Sequence, residues 1–159
     1  MKPRKHRRAR LDLPRIAERF RKKARKLTGP RRAILVALRE RGGPVTPREI
    51  FRALEGRCDL ATVYRSMHLL ETMGMVKRYD FGDGQARFEL LEEGDDGHHH
   101  HLVCRRCADV VEIEGCLMSD VDRQVAEANG FKAVTHRLEF FGICPECQGS
   151  DSRGENVTD

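Results

Sequence analysis

The first half of the chain carries short apolar stripes at helical spacing, separated by glycine and proline breaks. A basic segment over 15–27 forms the first predicted helix, and Thr28-Gly29-Pro30 interrupts it. Ile34, Leu35 and Leu38 give the second helix its apolar face. The pattern therefore predicts a series of short helices rather than one long one.

Two further helices have clear boundaries. Thr46 and Glu49 stand at capping-box spacing, with a proline between them at the first helical position, so a short helix begins there. A longer helix is predicted over 61–73, and Gly74 ends it. Its core-facing residues at helical spacing are Val63, Met67 and Leu70.

A β-hairpin follows these helices. The runs 76–80 and 85–90 are extended in character, and the Asp83-Gly84 pair between them is a strong turn signal. Several short helices followed by a hairpin describe a winged helix-turn-helix, in which the helix before the hairpin enters the DNA major groove.

The character of the chain changes after the polar segment 92–97, which we interpret as a hinge. A β-β-α-β order is predicted beyond it. Its parts are strands over 102–104 and 110–114, a helix over 117–128 and a strand over 131–143 that is interrupted at 135–137. Such a unit is too small to be stable alone, which favours a dimer. The predicted fold class is α+β, a winged helix-turn-helix followed by a small α/β dimerisation domain.

Basic residues are distributed unevenly along the chain. The net charge is +5, but residues 1–32 hold 15 of the 30 lysines and arginines against two acidic residues. A basic end favours a polyanionic partner, of which nucleic acid is the commonest. We predict a basic arm over 1–13, a DNA-binding domain over 14–91, a second domain over 98–147 and a polar tail over 148–159.

Composition indicates a soluble protein, with 39% hydrophobic and 35% charged residues. No apolar run approaches the 18 or so residues of a membrane span, and no secretory leader is recognisable. We therefore expect a cytoplasmic protein with no membrane partner. In that compartment thiols stay reduced, so the six cysteines indicate metal ligands before disulfides.

Two Cys-x-x-Cys pairs carry the strongest chemical signal. Cys104 and Cys107 form one pair, Cys144 and Cys147 the other, with 36 residues between the pairs. Four thiolates on two tight turns make the tetrahedral sulfur cage that zinc prefers. A closed cage leaves no position for water, so this zinc is predicted to be structural. Cys58 and Cys116 are expected to be small buried residues.

Four histidines end two residues before the cage. In a strand, alternate side chains face opposite sides, so the run divides into two pairs. His99 and His101 would face Glu89 and Glu112. The other pair forms a further predicted site, whose members are His98, His100, Asp120 and His136. Imidazole with carboxylate suits several divalent ions, so ligand type alone does not select one.

Three segments together resemble the ferric uptake regulator family. They are Asp59-Leu60-Ala61-Thr62-Val63-Tyr64-Arg65, Phe88-Glu89-Leu90, and the run from His98 to Cys107. The likeness covers about 14–147. It implies a homodimeric, metal-responsive transcription factor whose winged helix binds an A·T-rich inverted repeat, and it involves no small-molecule substrate.

The resemblance also assigns residues. It matches Cys104, Cys107, Cys144 and Cys147 to a structural zinc ion. A regulatory metal at the hinge would be held by Glu89, His99, His101 and Glu112. The further site would use His98, His100 and His136. Three positions depart from the family pattern: Pro44 stands where a histidine ligand is common, His100 where an aspartate is usual, and Ser119 near where a glutamate is usual. Asp120 could therefore serve only with a one-residue shift.

For DNA, the resemblance matches Thr62, Tyr64 and Arg65 to the recognition helix, with Arg31 on phosphates. Tyr64 can contact thymine methyl groups and Arg65 a base or phosphate.

The implied function is repression of metal-uptake genes when iron or zinc is plentiful, with manganese as a third candidate ion. A peroxide sensor of the same family is an alternative. So is a zinc-ribbon interaction module that does not bind DNA. A zinc hydrolase or deaminase is disfavoured because Pro145 lies inside its cysteine pair rather than before it.

Overall fold

The computed structural model describes residues 11–91, 99–113, 116 and 118–149, with only the backbone of Ser119. These residues fall into two compact units, 11–91 and 99–149. Residues 1–10 of the predicted basic arm, the predicted hinge over 92–97, His98 and most of the tail lie outside the described residues. Within the described part, no helix has the length and apolar character needed to cross a membrane.

Helix α1 spans Leu13–Lys22 and is shorter than predicted. Asp12 caps it, accepting a hydrogen bond from the Arg15 N–H at 3.1 Å. Ile16 and Phe20, one turn apart, are its buried residues. The predicted extension to residue 27 is wrong: the helix ends at Lys22, and Ala24, one turn after Phe20, is exposed and has a left-handed φ of +52°.

Helices α2 and α3 begin where the sequence signals place them. Helix α2 spans Gly29–Arg41 and buries Ile34, Leu35 and Leu38. Helix α3 spans Pro47–Ala53. The predicted capping box is present: the Thr46 N–H donates to Glu49 Oε2 at 2.7 Å, and the Glu49 N–H donates to Thr46 Oγ1 at 3.2 Å.

Helix α4 spans Leu60–Thr72 and buries the predicted face. Its end is a Schellman motif: the Gly74 N–H donates to Glu71 O and the Met75 N–H to Leu70 O, both at 2.9 Å. Gly74 has a φ of +62°, a left-handed conformation that glycine adopts without a Cβ penalty.

Strands β1 (Val76–Asp80) and β2 (Ala86–Leu90) form the predicted antiparallel hairpin. Phe88 also exchanges two backbone hydrogen bonds with Val45, which ties the hairpin to the segment before α3. The first unit is therefore a winged helix. Its core consists of buried residues from all four helices and the hairpin, including Phe20, Ile34, Leu35, Leu38, Ile50, Leu54, Val63, Met67, Leu70 and Phe88.

The second unit contains a three-stranded sheet in the order β4-β3-β5. Strand β3 (His100–Cys104) pairs antiparallel with β4 (Val110–Ile113) and parallel with β5 (Glu139–Gly142). Helix α5 (Ser119–Asn129) connects β4 to β5, and α6 (Pro145–Gly149) follows.

The strand predicted over 131–143 is mostly wrong, since only four of its residues pair. Residues 131–138 are largely exposed and follow no ladder, so their apolar character alone did not make a strand. Helix α6 was not predicted. It begins at Pro145, a residue favoured in the first turn of a helix, and carries the last cysteine.

Candidate metal centres and nucleic-acid interface

The N-terminus of α4 is held by its cap. The Thr62 N–H and hydroxyl donate to the two carboxylate oxygens of Asp59, at 2.7 and 2.9 Å. These bonds, the backbone one first, lower the pKa of Asp59. The cap therefore keeps the first turn of the helix ordered at the surface.

The predicted DNA-reading residues lie on the exposed side of α4. Tyr64 is 48% exposed, an unusual position for a large aromatic side chain. The Arg65 guanidinium donates to Thr62 Oγ1 at 3.0 Å, so these two side chains are linked. Val63 and Met67 are fully buried on the other side and hold the helix in place.

A groove of about 560 Å³ lies beside Tyr64. Its walls come from the start of α3 and from the hairpin, and the lining includes two exposed arginines, Arg48 and Arg78. Neither arginine was among the residues predicted to contact DNA. The alternation of β1, which puts Arg78 on the face opposite buried Tyr79, could have identified one of them.

Arg31 has a contact within the protein. Its Nη1 donates to the Lys26 carbonyl oxygen at 2.6 Å, and its guanidinium carbon lies 6.0 Å from the centre of the Phe20 ring. It therefore stabilises the connection between α1 and α2. Its predicted phosphate contact stays a prediction.

The four predicted zinc ligands converge. Cys104 ends β3, Cys107 lies in the turn after it, Cys144 follows β5, and Cys147 lies in α6. The four sulfur atoms all lie within 4.8 Å of one another, and Cys107 Sγ is 3.6 Å from Cys144 Sγ. Zinc–sulfur bonds of about 2.3 Å place two sulfurs of a tetrahedral site about 3.8 Å apart, so the cluster fits a zinc ion.

Backbone groups prepare this cluster for a cation. The N–H groups of Cys107, Cys144 and Arg106 point at Cys104 and lower its pKa to about 6. Its crowded neighbour Cys147 has a pKa raised to about 12, first because of its hydrogen bond with Cys144. Four thiols this close cannot all ionise without a cation between them, which is the chemistry that a divalent zinc ion supplies.

The predicted hinge ligands belong to different units. Glu89 lies on β2 of the first unit. In the second unit, the His99 and His101 rings meet edge to face with centroids 4.9 Å apart. His101 stands opposite Glu112 in the β3–β4 register, so these two side chains share a face of the sheet.

His100 points to the other side, as the predicted alternation requires, and meets His136. Their Nε2 atoms lie 3.3 Å apart, and Cys116 Sγ lies 3.5 Å from His136 Nε2. On the far side of the ring, His136 Nδ1 lies 2.7 Å from Asp122 Oδ2. His100, Cys116 and His136 thus form a second group of convergent metal-ligating atoms.

Asp120 is not brought into this group. Its side chain is 82% exposed and lies 3.5 Å from Arg123. Asp122 was not among the predicted ligands, and Cys116 was expected to be a small buried residue. Helical periodicity was the available signal: positions 119 and 122 share a helix face, whereas 119 and 120 point about 100° apart.

The geometry on these two units defines a class: a winged-helix protein with a four-cysteine cluster and further histidine-containing metal-ligand groups. The model of the ferric uptake regulator family matches residues 22–141. The chain belongs to this family, whose members are metal-responsive regulators of transcription.

Comparisons with individual proteins agree with this family assignment. The chain is 45% identical over 93 residues to the ferric uptake regulation protein of Bacillus subtilis, a match covering 58% of this chain and 62% of that protein's length. It is 32% identical over 130 residues to the peroxide operon regulator of Bacillus subtilis, covering 80% and 87%. The crystal structure of the Vibrio cholerae ferric uptake regulator superimposes with a TM-score of 0.70 at 28% identity, covering 81% of this chain and 99% of that one.

Proposed function

We propose that this protein is a metal-dependent, homodimeric repressor that binds an A·T-rich inverted repeat and controls genes of metal uptake or homeostasis. The observation that carries the proposal is the exposed face of α4. Tyr64 and Arg65 project from a capped, well-anchored helix beside a groove containing two further arginines. An aromatic ring among guanidinium groups suits thymine methyls and phosphates.

The second unit supplies the proposed dimer contact. Exposed large apolar residues are concentrated there, among them Val121, Val125, Phe131, Phe140 and Ile143. Apolar side chains in contact with water favour burial against a second copy. A two-fold dimer would present two α4 helices, which matches an inverted-repeat operator.

Regulation is proposed to act at the hinge. Glu89 comes from the winged helix, and His99, His101 and Glu112 from the second unit. An ion bound by all four would restrict the angle between the two DNA-binding heads. Metal would then favour the DNA-competent conformation, and by linkage DNA would tighten metal binding by the same factor.

The sensed ion is proposed to be iron or zinc, with manganese as a third candidate. Two imidazoles with two carboxylates accept all of these ions. The likeness to the peroxide operon regulator keeps a peroxide sensor as the alternative. We place the protein in the cytoplasm and assign it no enzymatic activity, since the four-sulfur cage leaves no open coordination position for substrate or water.

A mobility-shift experiment tests the DNA-binding part. Arg65→Ala should weaken operator binding about 10- to 100-fold, because one charge-assisted base or phosphate contact is lost. Arg123→Ala, which removes an equal charge from the exposed face of α5, should bind like wild type. Operator affinity should also fall steeply as salt rises. Equal loss in both variants, or salt-independent binding, would favour the interaction-module alternative.

The hinge requires its own test. DNA affinity is measured with and without added iron, zinc or manganese, in protein that retains one zinc ion per chain. Wild type should respond to metal, whereas Glu112→Gln should lose most of the response and keep the zinc. Metal-independent DNA binding by the wild-type protein would contradict the switch while leaving the DNA-binding role intact.

A further inference from the structure

A second cluster in the second unit has the geometry of a thiolate-containing metal site. We propose that His100, Cys116 and His136 bind one zinc-like divalent ion, and that Asp122 orients His136 for this task. This site is separate from the four-cysteine cage and does not depend on the hinge ligands. It also differs from the predicted further site, because a cysteine replaces an aspartate as the third ligand.

The distances fit zinc coordination. Zinc–nitrogen bonds of about 2.0 Å put two nitrogens of a tetrahedral site about 3.3 Å apart, and a zinc–sulfur bond of about 2.3 Å puts nitrogen and sulfur about 3.5 Å apart. The corresponding separations are 3.3 Å between the two Nε2 atoms and 3.5 Å between His136 Nε2 and Cys116 Sγ. Two of the three separations between ligand atoms therefore match a tetrahedral zinc site, and all three atoms lie within 4.8 Å of one another.

Asp122 sets the direction of His136. A carboxylate oxygen 2.7 Å from Nδ1 keeps a proton on that nitrogen, so the lone pair of Nε2 points at His100 and Cys116. Metal-bound histidines commonly have such a carboxylate behind them, which raises the basicity of the ligating nitrogen. A hydrogen-bonded chain without metal would explain the Asp122–His136 and His136–His100 contacts. It would not explain why the Cys116 sulfur also lies beside His136 Nε2.

The proposed ligands and Asp122 are held in place by the secondary structure of the second unit. His100 is 2% exposed on β3, the central strand of the sheet. Asp122 lies on α5, the longest helix of this unit, and the Cys116 sulfur also accepts a hydrogen bond from the Met118 N–H at 3.4 Å just before that helix. The ligands therefore come from a buried strand, a helix-start loop and the segment before β5, which preorganises the site.

The ligand set selects its ion. One thiolate with two imidazoles is softer than a set of imidazoles and carboxylates, so it prefers zinc to manganese or ferrous iron. Cobalt(II) is a suitable probe because it takes the same tetrahedral geometry and its thiolate complexes absorb by sulfur-to-metal charge transfer.

Cobalt titration of the full-length protein, with its four-cysteine cage loaded with zinc, tests the ligand assignment. Wild type and Cys58→Ser should both bind cobalt with a charge-transfer band, whereas Cys116→Ser should lose the band and bind at least about 10-fold more weakly. Zinc content, measured before and after, confirms that the cage keeps its ion. A band that persists in Cys116→Ser, or no band in wild type, overturns the proposal.

Two aspartates on α5 test the orienting role. Asp122→Asn should weaken cobalt binding about 10- to 100-fold while the charge-transfer band still forms at saturation. Asp120→Asn, on the exposed side of the same helix, should bind like wild type. If the two variants bound cobalt with equal affinity, Asp122 would have no orienting role in the site. The readout is metal binding alone, so its outcome does not depend on whether DNA binding responds to metal.

Discussion

At the scale of single residues, the hairpin contains a nearly buried cation. The Arg87 side chain is 4% exposed, and its guanidinium donates to both carboxylate oxygens of Asp83, at 2.9 and 2.7 Å. Its guanidinium carbon also lies 5.5 Å from the centre of the Phe81 ring. A desolvated guanidinium needs this partner, so the pair holds the turn of the wing in one conformation.

We expect a coupling energy of about 1–2 kcal/mol between Asp83 and Arg87, moderated because the carboxylate is partly in water. A double-mutant cycle with Asp83→Asn and Arg87→Met measures it by urea unfolding. Both tyrosines of the chain lie in the first unit and there is no tryptophan, so tyrosine fluorescence reports on that unit alone.

The pH dependence of this coupling follows from the same contact. The hydrogen bond from Arg87 lowers the pKa of Asp83 in the folded protein. The stabilisation is therefore complete above the unfolded-state value of about 3.9 and is lost as pH falls through the lower folded value. The coupling energy should be equal at pH 8 and pH 5. A marked decrease between those values would show that another group titrates with the pair.

At the scale of elements, local signals set most helix ends. The capping box at Thr46 and Glu49 and the Schellman motif at Gly74 involve residues only a few positions apart, so the sequence was sufficient to place both. The end of α1 was misplaced because a basic segment has good helix propensity whether or not it has a surface to pack on. Only the tertiary contacts of Ile16 and Phe20 decide where that helix stops being stabilised.

Two glycines make a matched test of the α4 terminus. Gly74→Ala should destabilise the first unit by about 1 kcal/mol, since alanine resists the left-handed conformation. Gly29→Ala, at the first position of α2, should be neutral or slightly stabilising because Gly29 has no positive φ. Neither added Cβ meets an atom within 4 Å. Urea unfolding followed by tyrosine fluorescence compares them, and similar losses in both would refute a conformational origin.

At the scale of the whole molecule, the two units have separate sources of stability. The winged helix contains the hydrophobic core, whereas most described side chains of the second unit are partly or fully exposed. The four-cysteine cluster connects the end of β3 to the segment after β5 and so closes the second unit. A small domain with so little buried surface depends on such a metal clip.

Cys104→Ser should therefore abolish zinc retention and unfold the second unit while the first unit stays folded. Metal analysis measures the loss of zinc, and far-ultraviolet circular dichroism measures the loss of secondary structure. Tyrosine fluorescence reports whether the first unit stays folded. Cys58→Ser is the control, because Cys58 lies in the winged helix outside the metal-ligand groups of the described residues. Concurrent melting of both units in Cys104→Ser would show that the winged helix depends on the zinc.

Local sequence patterns were sufficient to predict the winged helix, the hairpin turn and the four cysteines that form the cluster. Each depends on short-range spacing: an apolar residue every third or fourth position, an Asp-Gly pair, two cysteines on one turn. The alternation of the histidine run was likewise a local property of a strand, and His100 does face away from His101 and Glu112.

The residues that surround His100 depend instead on long-range packing. Cys116, Asp122 and His136 are remote from it in sequence and meet it because β3 is central in its sheet and α5 has one particular rotation. A change of two positions on that helix separates Asp122, which contacts the histidine, from Asp120, which faces water. Chain composition does not fix such a rotation, because packing between distant segments selects it.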